Sequence, residues 1–171
     1  VDDVPANRQL LAEIISKNTP YQINLASEGA MVLDSIERNI PDIILLDIMM
    51  PGIDGYEVAK FLKQKKETAD IPIIFITAIT DIKGISLAYE AGGVDYITKP
   101  FNKTELLARL RAHINLKIIQ DDLKEKNRLL ADREAHLTKL VEEKTYKLER
   151  TTLALVNALE NANFFNEDRK S

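Results

Sequence analysis

The sequence predicts an α/β fold in which a doubly wound, five-stranded parallel sheet is continued by a long C-terminal α-helix that forms a coiled coil. Short β-branched apolar segments alternate with helical patterns through the first hundred of the 171 residues. Such alternation is typical of parallel sheets covered by helices on both faces. All six Gly and all six Pro lie within residues 1–100, so nothing in the remaining sequence interrupts a helix.

The first forty residues contain two strand patterns and two helix patterns. Residues 1–3 resemble the end of a strand, and because the first residue is Val rather than Met we expect the N-terminus to be clipped. Pro5 suits the first turn of a helix, which continues to residue 18 with its apolar residues on one stripe. Residues 21–26 alternate as a strand does, and residues 30–39 have a helical pattern.

The next sixty residues supply three more strands and the helices between them. Residues 43–47 and 71–77 are continuous apolar segments, as expected for strands buried on both faces of a parallel sheet, and residues 95–98 form a shorter strand. Helices are predicted from the capping box at 54–57 through residue 65, and over residues 82–91. A second capping box at 102–105 begins the last helix.

Composition excludes several classes of function. A net charge of −4 provides no basic surface for nucleic acid, and no apolar segment approaches the roughly 20 residues that cross a bilayer. The absence of Cys excludes disulfides, thiol nucleophiles and thiolate zinc sites, and two His are too few for a histidine metal cluster. We therefore expect a cytoplasmic protein that neither binds nucleic acid directly nor inserts into a membrane.

Polar side chains stand where the predicted strands end. Asp2 and Asp3 follow the first strand, Asp47 ends the third, Thr77 ends the fourth and Lys99 follows the fifth. Ligands of such sheets bind at the carboxyl ends of the strands, so these five side chains are expected to converge there. Two carboxylates about 4 Å apart repel by about 4 kcal/mol at an effective dielectric constant of 20, so the group needs a cation. Oxygen ligands select Mg²⁺, with Mn²⁺ as an alternative.

This set of residues predicts phosphoryl chemistry. A carboxylate such as Asp47, beside a metal ion and Lys99, suits a covalent nucleophile toward a phosphoryl group. The metal and the ammonium would neutralise the charge that develops on the phosphoryl oxygens. Thr77 is placed to sense the new phosphate by hydrogen bonding to it.

Four segments resemble the receiver domain of two-component response regulators, which has a flavodoxin-like fold. They are residues 1–8 (VDDVPANR), 45–55 (LLDIMMPGIDG), 76–78 (ITA) and 95–101 (DYITKPF). The resemblance defines residues 1–115 as the predicted receiver. It implies that a sensor histidine kinase phosphorylates Asp47, and that Asp3, Asp47 and the backbone carbonyl of Met49 bind Mg²⁺ while Asp2 acts through water.

The same resemblance implies roles for the other site residues. Lys99 contacts the phosphoryl group, and the backbone N–H of Ala78 donates a hydrogen bond to it. Thr77 and Tyr96 form the switch pair, in which the hydroxyl moves toward the phosphate while the aromatic ring rotates inward. The peptide bond between Lys99 and Pro100 is expected to be cis, as proline permits.

Residues 116–171 are predicted to form a helical coiled-coil linker and the start of an output domain that lies beyond this chain. Leucines repeat every seven residues, and a second apolar row occupies the companion position: Leu116, Leu123, Leu130 and Leu137, then Val141, Leu148 and Leu155. Asn127 falls in the companion row, where a buried Asn favours a parallel two-stranded coil. Polar residues interrupt both rows at Gln120, Glu134, Lys144 and Thr151. We expect a homodimer through an imperfect coiled coil.

The end of the chain has a fainter resemblance. Residues 140–149 (LVEEKTYKLE) and 158–168 (ALENANFFNED) resemble the linker before HD-GYP cyclic di-GMP phosphodiesterase domains. The resemblance implies such an output beyond residue 171, since the chain contains neither the HD pair nor the GYP triplet. Similar linkers precede GGDEF cyclases, phosphatases and histidine kinases, so these outputs stay open.

Three other functions compete with a phosphorylated switch. A phosphatase of the haloacid-dehalogenase type also uses an Asp nucleophile with Mg²⁺, but it requires a second Asp two residues later, where this chain has Met49. A nucleotide-binding domain requires a glycine-rich phosphate loop, which the sequence lacks. A dimeric scaffold that is never phosphorylated stays open, although the intact acidic set disfavours it.

Overall fold

A computed structural model describes residues 1–36, 38–78 and 82–167. Three strands and five helices follow one another along these residues: α1 (Pro5–Asn18), α2 (Gly29–Ile36), β1 (Ile44–Asp47), α3 (Gly55–Gln64), β2 (Ile73–Thr77), α4 (Ile82–Glu90), β3 (Asp95–Thr98) and α5 (Lys103–Glu167). The strands are parallel, and their order in the sheet is β1-β2-β3. This is the alternating pattern that the sequence predicts for a parallel sheet.

The sheet is covered on both faces, which makes it doubly wound. Every residue of β2 is buried, and alternate side chains point to opposite faces. Ile73 and Phe75 pack in one cluster with apolar residues of α2, α3 and α4. Ile74 and Ile76 pack in a second cluster with residues of α1 and α5. Burial on both faces explains why this strand is an uninterrupted apolar segment.

The prediction of five strands is wrong for the described residues, of which only three segments form strands. Residues 21–26 were expected to be a strand, but they pair only through the Asp2 amide, which donates to the carbonyl of Ala26 (3.3 Å). Val1 instead bonds to β1: its nitrogen donates to Leu45 O (2.7 Å) and its carbonyl accepts from Asp47 N (2.9 Å). Val1 and Asp2 thus lie in space between residues 21–26 and β1 and hydrogen bond to both, without a regular ladder.

Capping residues set the starts of the helices that flank the site. The Asp54 side chain accepts from the Glu57 amide and the Glu57 side chain accepts from the Asp54 amide, so the predicted capping box of α3 is confirmed. Asn102 caps α5 by accepting from the amides of Thr104 (2.8 Å) and Glu105 (3.3 Å). The predicted second helix is shorter than expected, because α2 ends at Ile36 rather than residue 39.

The helix α5 extends over 65 residues, as the absence of Gly and Pro predicts. The chain divides into two units, Val1–Gln120 and Asp121–Ser171. The first contains the sheet and the first turns of α5. In the second, the side chains of residues 121–159 are all exposed, including those of the two predicted apolar rows from Leu123 onward. None of the described helices has a stretch apolar and long enough for a membrane span.

Candidate functional site

Three carboxylates and one ammonium meet at the carboxyl end of the sheet. Asp2, Asp3 and Asp47 each place a carboxylate oxygen within 4.8 Å of the others. Lys99 Nζ lies 2.8 Å from Asp2 Oδ2 and 2.5 Å from Asp47 Oδ2. Asp2 is fully buried and Asp47 is 3% exposed, whereas Asp3 is half-buried. The structure thus brings together four of the five side chains that were expected to converge, the fifth being Thr77.

Contacts from the start of α1 hold Asp2 in place. Its Oδ1 accepts from the amide of Val4 (2.9 Å), and Asn7 Nδ2 lies 3.2 Å from both carboxylate oxygens. Arg8 donates to the Asp2 carbonyl oxygen (2.5 Å). The role of Asn7 was not predicted, because its contact with Asp2 joins residues five apart across the start of a helix and follows no periodic pattern. Asn7 is identified by its position in the structure, where its amide lies against the fully buried carboxylate of Asp2.

The loop after β1 fixes the position of Asp47. The Ile48 amide donates to Ile76 O (3.2 Å) and the Gly55 amide donates to Ile48 O (2.9 Å), so the loop closes tightly behind the carboxylate. A Cβ at Gly55 would clash with the carbonyl oxygen of Asp47 and lie 2.9 Å from Ile48 Cα. Only Gly permits this approach of two backbone segments. The Met49 amide donates to Asp47 Oδ1 (3.3 Å), while the Met49 side chain is 65% exposed.

Burial and the shared ammonium act in opposite directions on the two buried carboxylates. Burial raises the pKa of Asp2, but the hydrogen bonds from Lys99, Val4 and Asn7 outweigh it, and the net pKa is lowered. Burial dominates at Asp47 and, together with the charge of Asp2, raises its pKa against the pull of Lys99. Burial lowers the pKa of Lys99, but its two carboxylate partners outweigh this effect and raise it.

The ends of β2 and β3 carry Thr77 and Lys99 to the same edge. Thr77 is buried and its carbonyl accepts from the Lys99 amide (2.7 Å). The Lys99–Pro100 peptide bond is cis, as predicted. Ala78 follows Thr77 and is exposed. The neighbouring residues 79–81 lie outside the described part of the chain.

Tyr96 lies on β3, three residues before Lys99. It is half-buried, and its ring packs edge-on against that of Tyr89 from α4, with the centroids 6.3 Å apart. Its strand neighbour on β2 is Phe75, two residues before Thr77. The predicted switch residues therefore lie on adjacent strands, and Tyr96 also contacts α4.

A second ion-pair network, at the start of β3, was not predicted from the sequence. Asp95 Oδ1 lies 2.6 Å from Arg109 Nη1, and Asp95 Oδ2 lies 3.1 Å from His113 Nε2. Burial raises the pKa of Asp95, but Arg109, His113 and the Tyr96 amide outweigh it and lower the net pKa. Together with Arg109, His113 ties α5 to the strand.

The acidic cluster suits a hard divalent cation. Mg²⁺ in proteins is bound through one or two carboxylates and keeps several waters, which matches a site with two buried and one half-exposed carboxylate. The cluster contains neither His nor Cys, the ligands that would favour zinc. Receiver domains in general bind Mg²⁺ at such an acidic pocket.

Comparisons with known proteins agree with this geometry. Residues 1–111 match the family model of the response regulator receiver domain. The chain is 37% identical over 126 residues to the response regulator PleD of Caulobacter vibrioides, covering 74% of this chain and 28% of PleD. It is 39% identical over 122 residues to the response regulator MprA of Mycobacterium avium, covering 71% of this chain and 52% of MprA. The chain thus spans about a quarter to a half of these relatives.

Solved structures show the same fold. A putative response regulator from Chloroflexus aurantiacus superimposes with a TM-score of 0.65 at 34% identity, covering 67% of this chain and 93% of that one. The receiver domain of the Francisella response regulator 1452 superimposes with a TM-score of 0.62 at 28% identity, covering 67% of this chain and 92% of that one. With its flavodoxin-like sheet and the matched residues 1–111, the chain belongs to the response regulator receiver family of two-component signalling.

Proposed function

We propose that this receiver accepts a phosphoryl group on Asp47 from a sensor histidine kinase and that the product alters pairing along its C-terminal helix. The observation that carries the proposal is the convergence of Asp2, Asp3 and Asp47 with Lys99 on one edge of the sheet. An ordinary turn-forming Asp needs none of these neighbours. A buried carboxylate with an ammonium 2.5 Å away is instead prepared for a reaction in which charge moves.

The reaction is a phosphoryl transfer between a nitrogen and an oxygen. A carboxylate oxygen of Asp47 forms the new O–P bond while the N–P bond of the phosphohistidine breaks. The released imidazole keeps the bonding electron pair and takes its proton from solvent. Because the acyl phosphate leaves Asp47 without its own negative charge, Lys99 transfers its ion pair to a phosphoryl oxygen. The Asp2 contact holds the ammonium near the reacting atoms throughout.

Asp3 and Asp47 are proposed as direct ligands of Mg²⁺, together with the carbonyl of Met49, while Asp2 acts through water. When bound, the cation neutralises charge on the transferring phosphoryl oxygens. Mn²⁺ has similar ligand preferences and is an alternative. The half-buried position of Asp3 suits a ligand that also contacts solvent.

The switch is proposed to use Thr77 and Ala78 at the end of β2 and Tyr96 on β3, the strands that follow Asp47 in the sheet. Thr77 would draw toward the new phosphate, and the Ala78 amide would donate to it. Tyr96 would then move from its contact with Tyr89 on α4 toward the space that Thr77 leaves. The change is a shift between two packings of one sequence.

The output is proposed from the helix and its two apolar rows. We propose a parallel homodimer along residues 116–171, in the cytoplasm with its kinase, and an HD-GYP phosphodiesterase beyond the chain. The dimer is supported by exposed leucines at seven-residue intervals, including Leu123, Leu130 and Leu137. The phosphodiesterase rests only on the resemblance of residues 140–149 and 158–168. A GGDEF cyclase, phosphatase or kinase output is the alternative.

Incubation with Mg²⁺ and acetyl phosphate, followed by intact mass measurement, tests the proposal. We expect one phosphoryl group per chain, no adduct in Asp47→Asn, and an unchanged adduct in the control Asp42→Asn, whose carboxylate is exposed just before β1. EDTA added before the phosphodonor should prevent formation of the adduct. A folded protein without any adduct in the presence of donor and Mg²⁺ would favour the non-phosphorylated scaffold.

A further inference from the structure

The apolar side chains of the C-terminal helix change row near its middle. Leu123, Leu130 and Leu137 lie seven residues apart, and each is more than half exposed, at 56, 58 and 52%. The next strongly apolar row is Val141, Leu148 and Leu155, with exposures of 62, 68 and 60%. The step from the first row to the second is four residues instead of seven. This step decides which neighbouring residues enter the seam of a dimer.

An unbroken heptad places unfavourable residues in the second half of the seam. If the row that begins at Leu123 continues every seven residues, its next members after Leu137 are Lys144, Thr151 and Ala158. A buried Lys is costly unless it is paired, and the small Ala leaves a poorly filled layer. The leucines of one half and the lysine of the other would then occupy the same position of the repeat.

A four-residue shift between Leu137 and Val141 removes this conflict. Val141, Leu148 and Leu155 then continue the leucine row, and their companions are Thr145, Thr152 and Leu159 in place of Lys144, Thr151 and Ala158. Leu159 is 65% exposed in the single chain, so pairing would bury it. The Thr152 hydroxyl already donates to Leu148 O (2.9 Å), so its burial leaves no unpaired donor.

The shifted seam also pairs charges between two parallel copies. Lys144 moves to the flanking position just before a core residue, and Glu149 takes the flanking position five residues later. In a parallel coiled coil these two positions face each other across the interface, as Lys144 of one copy and Glu149 of the other. Residues five apart do not face each other within one helix. An opposite charge pair therefore favours a second copy of this chain, in parallel, as the occupant.

We infer that two copies pair in parallel along residues 123–159 with a four-residue shift of the seam between Leu137 and Val141. The inference rests on the homodimer proposed above and specifies its register. Such an insertion of four residues locally unwinds a coiled coil. The segment around residues 137–141 would then be less tightly wound than the coiled coil on either side of it.

Disulfide cross-linking of single-Cys variants of the full chain tests the register, and the chain has no native Cys to interfere. Under mild oxidation we expect Thr145→Cys and Thr152→Cys to form several-fold more covalent dimer than Lys144→Cys and Thr151→Cys. Leu130→Cys, in the seam in both registers, is the positive control. Glu143→Cys faces outward in both registers and is the negative control.

Charge exchange provides a second measurement that does not depend on Cys reactivity. Lys144→Glu should weaken dimerisation in sedimentation velocity by several-fold, and Lys144→Glu combined with Glu149→Lys should restore it. Lys144→Leu should leave the dimer constant within about threefold, because the position lies outside the shifted seam. An unbroken heptad predicts the opposite: strong tightening by Lys144→Leu and no restoration by the exchange.

The outcomes separate the register from the dimer itself. A natural chain that is dimeric, with cross-links strongest at positions 144 and 151, overturns the shift and leaves the proposed dimer standing. A chain that stays monomeric in sedimentation at all accessible concentrations, with and without phosphodonor, overturns both. Strong cross-links at positions 145 and 152, with restoration by the charge exchange, support the shifted register.

Discussion

Replacement of Lys99 by Met exposes the electrostatic cost of the acidic site. In the natural chain the ammonium lies 2.8 Å from Asp2 and 2.5 Å from Asp47, both of which are almost completely buried. Without it, two buried carboxylates whose oxygens lie no more than 4.8 Å apart have lost their shared ammonium. Their repulsion alone is about 3 kcal/mol at an effective dielectric constant of 20. Removal of one partner from a buried ion pair costs about 3–5 kcal/mol, so we expect a loss of about 3 kcal/mol in unfolding free energy.

Urea unfolding measures this loss at fixed protein concentration, pH and ionic strength, because the proposed dimerisation would make apparent stability depend on concentration. The control Lys60→Met removes an exposed Lys from α3 and should change the unfolding free energy by no more than about 0.5 kcal/mol. Asp47→Asn in the Lys99→Met background removes one buried charge and should recover most of the loss. Added Mg²⁺ should stabilise Lys99→Met more than the natural chain.

A loss below about 1 kcal/mol in Lys99→Met would refute the electrostatic argument, since it falls within the range of an exposed ion pair. Failure of Asp47→Asn to recover stability in the Lys99→Met background would contradict it as well. In that case the loss would come from side-chain packing of Lys99, which the second substitution does not repair.

Three further predictions concern the same receiver. Gly55→Ala should lower the unfolding free energy by about 2–3 kcal/mol, because the new methyl group would clash with the Asp47 backbone. Gly52 has a φ of +79° and open space around it, so Gly52→Ala should lower the unfolding free energy by only about 1 kcal/mol. Urea unfolding of the two variants measures the difference. Asp3→Asn should weaken Mg²⁺ binding, measured by calorimetry, at least tenfold. Because Asp3 is half-exposed, the same change should have little effect on stability in the absence of metal. An unchanged Mg²⁺ affinity would remove Asp3 from the proposed ligands. The lowered pKa of Asp95 stabilises the fold above its unfolded pKa of about 3.9, and this contribution is lost as the pH falls through the lower folded value. Asp95→Asn should therefore flatten the decline in stability below about pH 4 in acid titrations followed by circular dichroism, and an unchanged slope would contradict the assignment.

The parts of the fold that were predicted correctly depend on local pattern. The apolar segments at 43–47 and 71–77 contain β1 and β2, because burial on both faces removes the polar residues that would otherwise alternate. The capping box at Asp54 sets the start of α3 from side chains three residues apart. The absence of Gly and Pro predicts α5. Each of these signals lies within a few neighbouring residues.

The parts that were predicted incorrectly or missed depend on partners distant in the chain. Residues 21–26 alternate as a strand does, but a strand also requires a ladder of backbone hydrogen bonds, and here the Asp2 amide makes a single bond to Ala26 O. The pairing of Asp95 with Arg109 and His113 joins residues 14 and 18 positions apart in two different elements. No periodicity marks such a contact, so only the structure identifies it.

β3 lies between two ion-pair networks, one at the acidic site and one that joins the strand to α5. At one end Lys99 binds Asp2 and Asp47; four residues earlier, Asp95 binds Arg109 and His113 on the helix. A phosphoryl group on Asp47 would exchange the partner of Lys99, which directly follows the strand. The strand pairs with β2 along its whole length, and Ile97 is fully buried while the other three residues are half-buried. Residues 101–167 contain neither Gly nor Pro, the residues at which sharp kinks in helices most often occur.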